Sequence, residues 1–406
     1  MVGDAPQAII GNVSLADADS YFADRQAHGI NAVWINLLCT TYTGCNGDGS
    51  TFDGIAPFTS PNDISTPNPV YFQKVDDVLN LAAQHGITVF LDPAETGGWL
   101  SFLGMNGAAK DEAYGEYLAS RYKNFPNIVW LLGNDFQKVD WENPSADALV
   151  TAIADGLRAG GDQHLMTIEL NPNESLSTDD PNWASRVDVN GAYSYYPTYD
   201  EILNGYNYKP TMPVVFLEGH YDGECVGPGG CGTPIVLRRQ EYWTMTSGAA
   251  GQLYGTQYWG FQSGWQTGID TTGADQLQIM ADFFESLPWY NLVPNQDHSL
   301  VTAGYGTYDA GETGETDTDD YVTAAETPEG NTAVVYLSDT HTITVDIAKM
   351  SGTVTAQWFD PTTGRYSPAG TFANSGSDQF TSPAAHSDGT DDWVLLLQSG
   401  SQKGAA

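Results

Sequence analysis

Basic residues are scarce in this chain of 406 residues. Lys and Arg total 14 against 51 Asp and Glu, so the formal net charge at pH 7 is −37. Because a surface of this sign repels nucleic-acid phosphates and anionic membranes, we expect neither as a partner. High acidity is also a common solubility device, so the charge alone names no substrate.

Long apolar runs and the common cofactor motifs are also missing. No segment approaches the roughly 20 apolar residues that span a bilayer, and no basic-then-apolar signal pattern opens the chain, so we expect a mature or trimmed form. The sequence has no glycine-rich phosphate loop, no HExxH helix and no G-x-S-x-G elbow, and its seven histidines are scattered. These absences predict a hydrolase without a cofactor or a metal site.

The four cysteines form two close pairs, Cys39 with Cys45 and Cys225 with Cys231, and five residues rich in turn formers separate each pair. This spacing favours two local disulfides. A metal site built from all four thiolates is the alternative, although neither pair has the two-residue spacing of zinc knuckles. Disulfides imply an oxidising compartment, so we expect a secreted, extracellular protein.

A strand-then-helix pattern repeats along residues 1–296. The predicted strands are short apolar segments at 7–11, 31–38, 86–92, 127–133, 164–170, 188–195, 213–219 and 251–261. The predicted helices are periodic segments at 14–29, 71–86, 109–126, 145–161 and 237–251. Nearly continuous apolar strands are typical of parallel sheets covered by helices, and their number predicts an α/β fold of the (β/α)8 barrel type.

The pattern changes after residue 296. Segments such as NTAVVYLS and DDWVLLLQ read as antiparallel strands, and no periodic segment of helix length follows. About 100 residues is the usual size of a β-sandwich. We therefore predict a catalytic barrel at 1–296 and a small β-sandwich at 297–406. The acidic stretch 309–320 is interpreted as a solvated loop, with a calcium site as the alternative.

Two acidic residues directly follow predicted strands: Asp135 ends WLLGND, and Glu218 ends VVFLE. The C-terminal ends of barrel strands meet at one rim, where active sites lie. Glycoside cleavage uses a pair of carboxyl groups, one to protonate the leaving oxygen and one to attack or stabilise the anomeric carbon. We therefore predict that Asp135 and Glu218 are catalytic. The structural alternative is that Asp135 caps a turn and Glu218 pairs with Arg238 or Arg239.

Aromatic and polar residues accompany these acids at the predicted rim. Asp92, Glu95 and Trp99 lie in LDPAETGGW, where a Trp face can stack on a sugar ring while carboxylates accept its hydroxyl hydrogen bonds. Packing beneath the rim is the alternative for Trp99. The predicted substrate-binding residues are these three together with Asn134, Tyr193, Tyr195, His220, Tyr221 and Trp259.

Three segments occur in the order of a known family: GDAP with AIIGNVSLADADSYFADRQAHGINAVWINLL, then PVYFQKVDDVLNLAAQHGITVFLDPAETGGW, then NFPNIVWLLGND. With them the chain resembles the apiosidase-like (β/α)8 glycoside hydrolases over nearly its whole length. The resemblance implies that Asp135 is the acid/base and Glu218 the nucleophile. AQWFDPTTGRYSPAGTF and DDWVLLLQ are similar to a collagen-binding-type β-sandwich, for which docking or support of the barrel is an alternative role.

The resulting hypothesis is a retaining double displacement on a plant or microbial polysaccharide, with Asn134 and His220 orienting the reacting groups. Members of the family differ in the sugar they cleave, and the insertion GHYDGECVGPGGCGTP after Glu218 leaves the sugar open, with a pentofuranoside as one candidate. An inverting hydrolase and a non-catalytic glycan-binding protein are the alternatives. The sequence does not predict the oligomeric state.

Overall fold

The computed structural model describes residues 1–172, 174–227 and 230–400. They fall into two compact units. The first unit consists of Met1–Tyr193, Val215–Gly219 and Gln252–Ile269. The second consists of Ser194–Val214, His220–Gly251 and the chain from Asp270 onward. Both predicted acids, Asp135 and Glu218, therefore lie in the first unit.

A nine-stranded, mostly parallel sheet forms the barrel. Its strands are β1 (Val2–Asp4), β2 (Ala32–Asn36), β3 (Thr88–Asp92), β4 (Ile128–Leu132), β5 (Met166–Ile168), β6 (Glu174–Leu176), β7 (Asn190–Ser194), β8 (Val214–Glu218) and β9 (Gly251–Tyr254). Their order is β5-β4-β3-β2-β1-β9-β8-β7-β6, so β4 and β8 are separated by several strands along the sheet.

The end strand β5 is also bonded to residues around β6 and β7, at the other end of the sheet. The backbone N–H groups of Asp188 and Val189 donate to the Met166 carbonyl at 2.8 and 3.2 Å. The Ser177 hydroxyl donates to the Ile168 carbonyl and accepts from the Gly191 N–H. These bonds curl the sheet, and the predicted (β/α)8 fold class is confirmed.

The first predicted strand was placed wrongly. Residues 9–12 form a short helix, and the strand of that position is β1 at Val2–Asp4. Only three residues long, β1 is too short to stand out as an apolar run. The strand lies so close to β9 that a side chain at Gly3 would overlap Leu253.

Helices surround the barrel strands. In the first unit they are α1 (Ile9–Asn12), α2 (Leu15–Ala27), α3 (Pro69–Gln84), α4 (Thr96–Asn106), α5 (Ala108–Tyr122), α6 (Lys138–Trp141), α7 (Pro144–Ala159) and α10 (Trp265–Gly268). Side-chain caps fix several starts: the Ser14 hydroxyl accepts from the Asp17 N–H at the start of α2, and the Asn68 side chain caps α3 ahead of a proline. The predicted helices of this unit are present with bounds shifted by a few residues.

The second unit joins three helices to antiparallel sheets. The helices are α8 (Tyr199–Asn207), α9 (Pro234–Thr246) and α11 (Thr272–Glu285). The strands are β10 (Val293–Pro294), β11 (Val301–Ala303), β12 (Thr323–Glu326), β13 (Thr332–Leu337), β14 (Thr342–Asp346), β15 (Val354–Asp360), β16 (Arg365–Phe372), β17 (Ser377–Thr381) and β18 (Trp393–Ser399). They form a six-stranded sheet and a three-stranded sheet over a buried apolar core. The predicted antiparallel C-terminal region is confirmed, and the boundary at residue 296 stays a prediction.

Two local disulfides, Cys39–Cys45 and Cys225–Cys231, confirm the predicted pairing. Two residues of the insertion after Glu218, 228 and 229, lie outside the described part of the chain. Within the described ranges, no helix has the length and apolar character needed to cross a membrane.

Candidate active site

Asp135 stands on a tight turn that ends β4. Gly133 and Asp135 both take the left-handed backbone conformation, with φ of 75° and 51°. Aspartate tolerates this conformation better than most side chains. The Asp135 N–H donates to Glu169 Oε2 at 3.1 Å, which fixes the turn. The acid is therefore held at the strand end by a contact with Glu169, the residue that follows the neighbouring strand β5.

Two tyrosines act on the Asp135 carboxyl group. The Tyr42 hydroxyl donates to Oδ2 at 2.6 Å. Burial raises the pKa of Asp135, whereas the hydrogen bond from Tyr42 and an interaction with the Tyr193 hydroxyl group lower it, and the pKa stays above its ordinary value. A carboxyl group that keeps its proton to higher pH is suited to general-acid catalysis.

Tyr42 was missed by the sequence analysis. It lies in the short turn Thr41–Thr43 inside the Cys39–Cys45 loop, and no pattern in the sequence separates it from the 21 other tyrosines. Its ring packs against the first turn of α4, where a side chain at Gly97 would overlap it. The glycines of the TGGW segment therefore let the disulfide loop reach Asp135.

Glu218 is the last residue of β8, and 7% of its surface is exposed. The hydroxyl group of Tyr193, on the adjacent strand β7, donates to Glu218 Oε1 at 2.9 Å. The same hydroxyl group interacts with Asp135. The structure thus brings together three predicted residues: Asp135, Glu218 and Tyr193.

Glu169 is a third acid in the same place. It follows β5, is 1% exposed, and accepts the Asp135 N–H, while its Oε1 has no hydrogen-bond partner among the described residues. Burial, then the charges of Glu218 and Asp135, hold the pKa of Glu169 well above its ordinary value. The signal that could have found it is in HLMTIEL, where an acid follows an apolar strand as it does at Asp135 and Glu218.

Asn134 lies beside these acids with its backbone fixed and one side-chain atom unused. The Thr96 hydroxyl donates to the Asn134 carbonyl at 2.7 Å, and the Asn134 N–H donates back to that hydroxyl at 3.1 Å. Asn134 Oδ1 is buried and has no hydrogen-bond partner in the described residues. A buried acceptor without a donor is costly, and the predicted role of Asn134 in substrate binding stays a prediction.

Asp92 and Glu95 are fully enclosed by protein. Glu95 accepts from the Thr40 N–H at 2.6 Å and from the Asn36 amide at 3.2 Å, and threonine hydroxyls donate to both of its oxygens. Burial, partly offset by these bonds, raises its pKa to about 7. Asp92, at the end of β3, accepts the Ala94 N–H at 3.0 Å, and burial raises its pKa well above the ordinary value. Both acids are 0% exposed, and their role in substrate binding stays a prediction.

Trp99 and Trp259 have different surroundings. Trp99 is buried in α4, where its ring meets Phe58 at 6.3 Å and Phe102 at 4.8 Å between ring centroids. Trp259 is half-buried, and its ring lies next to Gly44 in the Cys39–Cys45 loop. Neither ring is among the residues that line the cavity around Asp135.

The remaining predicted residues, Tyr195, His220 and Tyr221, belong to the second unit. All three are buried. His220 Nε2 lies 3.0 Å from the Tyr195 carbonyl, and the His220 N–H donates to Gln240 Oε1 at 3.0 Å. The structure thus brings Tyr195 and His220 together.

The arginines that could have paired with Glu218 are bound elsewhere. Arg238 donates to both oxygens of Asp392, at 2.7 and 3.0 Å, and Arg239 donates to the carbonyls of Thr316 and Ser338. Arg238 and Arg239 are therefore bound by residues other than Glu218.

A cavity of about 770 Å³ contains Asp135, Tyr42 and the first turns of α4. This volume suits a saccharide. In the described part of the chain, Asp135, Glu169 and Glu218 do not come close enough together to share one metal ion. Strand-end carboxyl groups with tyrosine partners, beside a large cavity on a (β/α)8 barrel, define a glycoside hydrolase.

Within that class the chain belongs to the apiosidase-like family, because the sequence profile of the apiosidase-like catalytic domain matches residues 1–291. Residues 311–398 match the profile described as "Putative collagen-binding domain of a collagenase". A search of curated proteins finds no match.

Solved structures of glycoside hydrolases share the fold. One, titled simply a glycoside hydrolase, is 21% identical, with a TM-score of 0.83 over 99% of this chain and 93% of that one. A glycoside hydrolase family 5 protein from Bacteroides vulgatus is 19% identical, with a TM-score of 0.84 over 100% and 90%. A GH30 endoxylanase from Clostridium papyrosolvens is 14% identical, with a TM-score of 0.51 over 98% and 96%. At these identities the likeness establishes the fold.

Proposed function

We propose that the protein is a retaining glycoside hydrolase in which Glu218 is the nucleophile and Asp135 the acid/base. The observation that carries the proposal is Tyr193, whose single hydroxyl group interacts with both carboxyl groups. This shared contact supports one site for the two acids, which are 83 positions apart in the sequence.

Each residue has a defined part in the reaction. Glu218 attacks the anomeric carbon while Asp135 transfers its proton to the leaving oxygen, which gives a glycosyl ester on Glu218. The Asp135 carboxylate then takes a proton from water, and that water displaces Glu218 and frees the sugar. The Tyr193 hydroxyl group, by donating to Oε1, fixes the rotation of the Glu218 carboxyl group. The unused Asn134 Oδ1 accepts a hydrogen bond from a sugar hydroxyl group.

Glu169 supports this pair in its neutral form. Its raised pKa keeps a proton on a carboxyl group that would otherwise add a third negative charge beside Asp135 and Glu218. A neutral carboxylic acid still accepts the Asp135 N–H through its other oxygen. Glu169 is therefore a positioning residue.

The proximity of the acids favours retention over inversion. One hydroxyl group interacting with both carboxyl groups supports a short separation, about two hydrogen-bond lengths between the nearest oxygens. Retaining pairs are about 5–5.5 Å apart, whereas inverting pairs need about 6.5–9.5 Å to admit a water.

The substrate and setting are proposed more coarsely. A plant or microbial polysaccharide, with a pentofuranoside as one candidate, fits a neutral partner for an acidic protein. The two disulfides favour secretion. We place the sandwich at 297–406. If this domain binds collagen, the full-length protein retains collagen in a pull-down.

A substrate screen tests the function. The purified protein is incubated with plant and bacterial polysaccharides and with aryl glycosides, with Glu218→Gln as the control. We expect at least one substrate to release sugar with the wild type and none with the variant. Saturable glycan binding without product from any substrate would instead establish a non-catalytic glycan-binding protein.

A further inference from the structure

An apolar pocket lies beside the cavity that contains Asp135. Its walls include Phe58, Trp99, Phe102 and Met105, and we call it the α4 pocket. We propose that it binds an aromatic ring carried by the leaving group of the substrate, so that the preferred substrates are glycosides with an aromatic group on the leaving side. This inference rests on the proposed function of Asp135.

The shape of the α4 pocket suits a planar ring. Its volume is about 290 Å³. Phe58 and Phe102 are stacked, with centroids 5.6 Å apart, and Trp99 meets Phe102 edge-on at 4.8 Å. Aromatic rings that present both faces and edges bind a further ring by the same geometry. Met105, 68% exposed, adds a flexible apolar side chain at the surface.

One polar atom in the wall has no partner. Trp99 is 4% exposed. Its indole nitrogen is buried and has no hydrogen-bond acceptor in the described residues. A buried indole N–H usually finds an acceptor.

The position of the pocket selects the leaving group over the sugar. Helix α4 forms a wall of both spaces, and Gly98 and Ser101 line both of them. Asp135 lies in the larger cavity, and the general acid delivers its proton to the leaving oxygen. The leaving group therefore lies on the side of the substrate that faces Asp135. The α4 pocket is next to that side, across Ser101.

The charge of the pocket excludes acidic ligands. Asp48 lines it, and hydrogen bonds from Ser50 lower the pKa of Asp48, so it is a carboxylate at neutral pH. A phenol or an aryl ether is compatible with this neighbour because it is uncharged, whereas an aryl carboxylate is repelled. The ligand class is a neutral aromatic ring.

Binding and selectivity test the proposal. The first probe is 2-naphthol alone, followed by ligand-observed NMR with the full-length protein. The second is the ratio of kcat/KM for the 2-naphthyl and phenyl glycosides of the sugar that the screen identifies, since these leaving groups have similar acidity. The variants are Met105→Glu and Phe102→Leu. The control is Leu165→Glu, which changes an apolar side chain, 49% exposed, just before β5 at the opposite end of the strands.

We expect 2-naphthol to bind the wild type and Leu165→Glu, and binding to weaken about tenfold or more in both pocket variants, as the loss of apolar contact in a pocket typically does. We expect the naphthyl-to-phenyl ratio to fall by a similar factor. Equal binding and equal ratios in all four proteins would overturn the pocket while leaving the hydrolase intact. Naphthol binding that depends on Met105, with no glycoside cleaved, would overturn the hydrolase and the leaving-group role with it.

Discussion

Asp392 in the second unit is buried in the opposite way to Asp135 and Glu169 in the first unit. In the second unit, Asp392 is fully buried against Arg238, which donates to both of its oxygens. In the first unit, Asp135 and Glu169 form no ion pair among the described residues, and burial raises the pKa of each. A buried acid with a guanidinium partner has a structural role, since removing the partner is strongly destabilising. A buried acid with only hydroxyl and amide partners holds its proton and is available for chemistry.

The largest effects are expected where the acids react. Glu218→Gln and Asp135→Asn each remove a group that makes or breaks a bond, so we expect kcat to fall by about a thousandfold or more with the thermal melting temperature little changed. Steady-state kinetics and a melting curve check both. Wild-type turnover in either variant would show that the substituted acid takes no more part in the reaction than Asp392 does.

The next effect concerns stability. Arg238→Met leaves Asp392 buried without its guanidinium, and we expect unfolding to become easier by about 3–5 kcal/mol. Urea unfolding measures it. The matched control is Arg186→Met, which breaks the exposed pair with Asp155 and should cost less than about 1 kcal/mol. Equal costs in the two variants would remove the contrast between a structural and a reactive acid.

Glu169 sharpens the comparison within the barrel. Glu169→Gln imitates the protonated acid and still accepts the Asp135 N–H, so we expect kcat to stay within about tenfold of the wild type. Glu169→Leu removes that acceptor and should lower kcat further. If Glu169→Gln is as inactive as Glu218→Gln, then Glu169 reacts as a carboxylate and the roles of the three acids must be reassigned.

Tyr42 gives the smallest effect. Its hydrogen bond lowers the pKa of Asp135, so Tyr42→Phe raises that pKa further. The general acid must be protonated, and activity falls as the pH rises through its pKa. We therefore expect the alkaline limb of the kcat/KM profile to move to higher pH. A limb that stays in place or moves to lower pH would exclude Tyr42 as a determinant of Asp135.

The sequence predicted the elements that have strong local patterns. Apolar strands such as β4 and capped helices such as α3 were found, because burial on both faces and end signals are written in adjacent residues. Helix α4 was missed because its first turn carries two glycines and no capping hydrogen bond. Those glycines serve a distant contact, with Tyr42, that no local pattern reveals.

The sequence predicted the positions of the site residues better than it predicted the residues that contact them. A strand-end acid can be read from the sequence, but its role depends on what meets it. Asp4 also ends a barrel strand, yet it accepts from Tyr21 at 2.5 Å and pairs with Arg25 at 3.3 Å. A position at the end of a barrel strand is thus shared by a structural acid at Asp4 and a candidate catalytic acid at Asp135, and only the fold brings in the residues that distinguish them.

The stereochemistry of the first product tests the central claim most directly. A proton NMR spectrum recorded within the first minutes of hydrolysis, before mutarotation, shows the configuration of the released sugar. Double displacement through Glu218 and Asp135 predicts the same anomeric configuration as in the substrate. Release of the opposite anomer would contradict the nucleophilic role of Glu218.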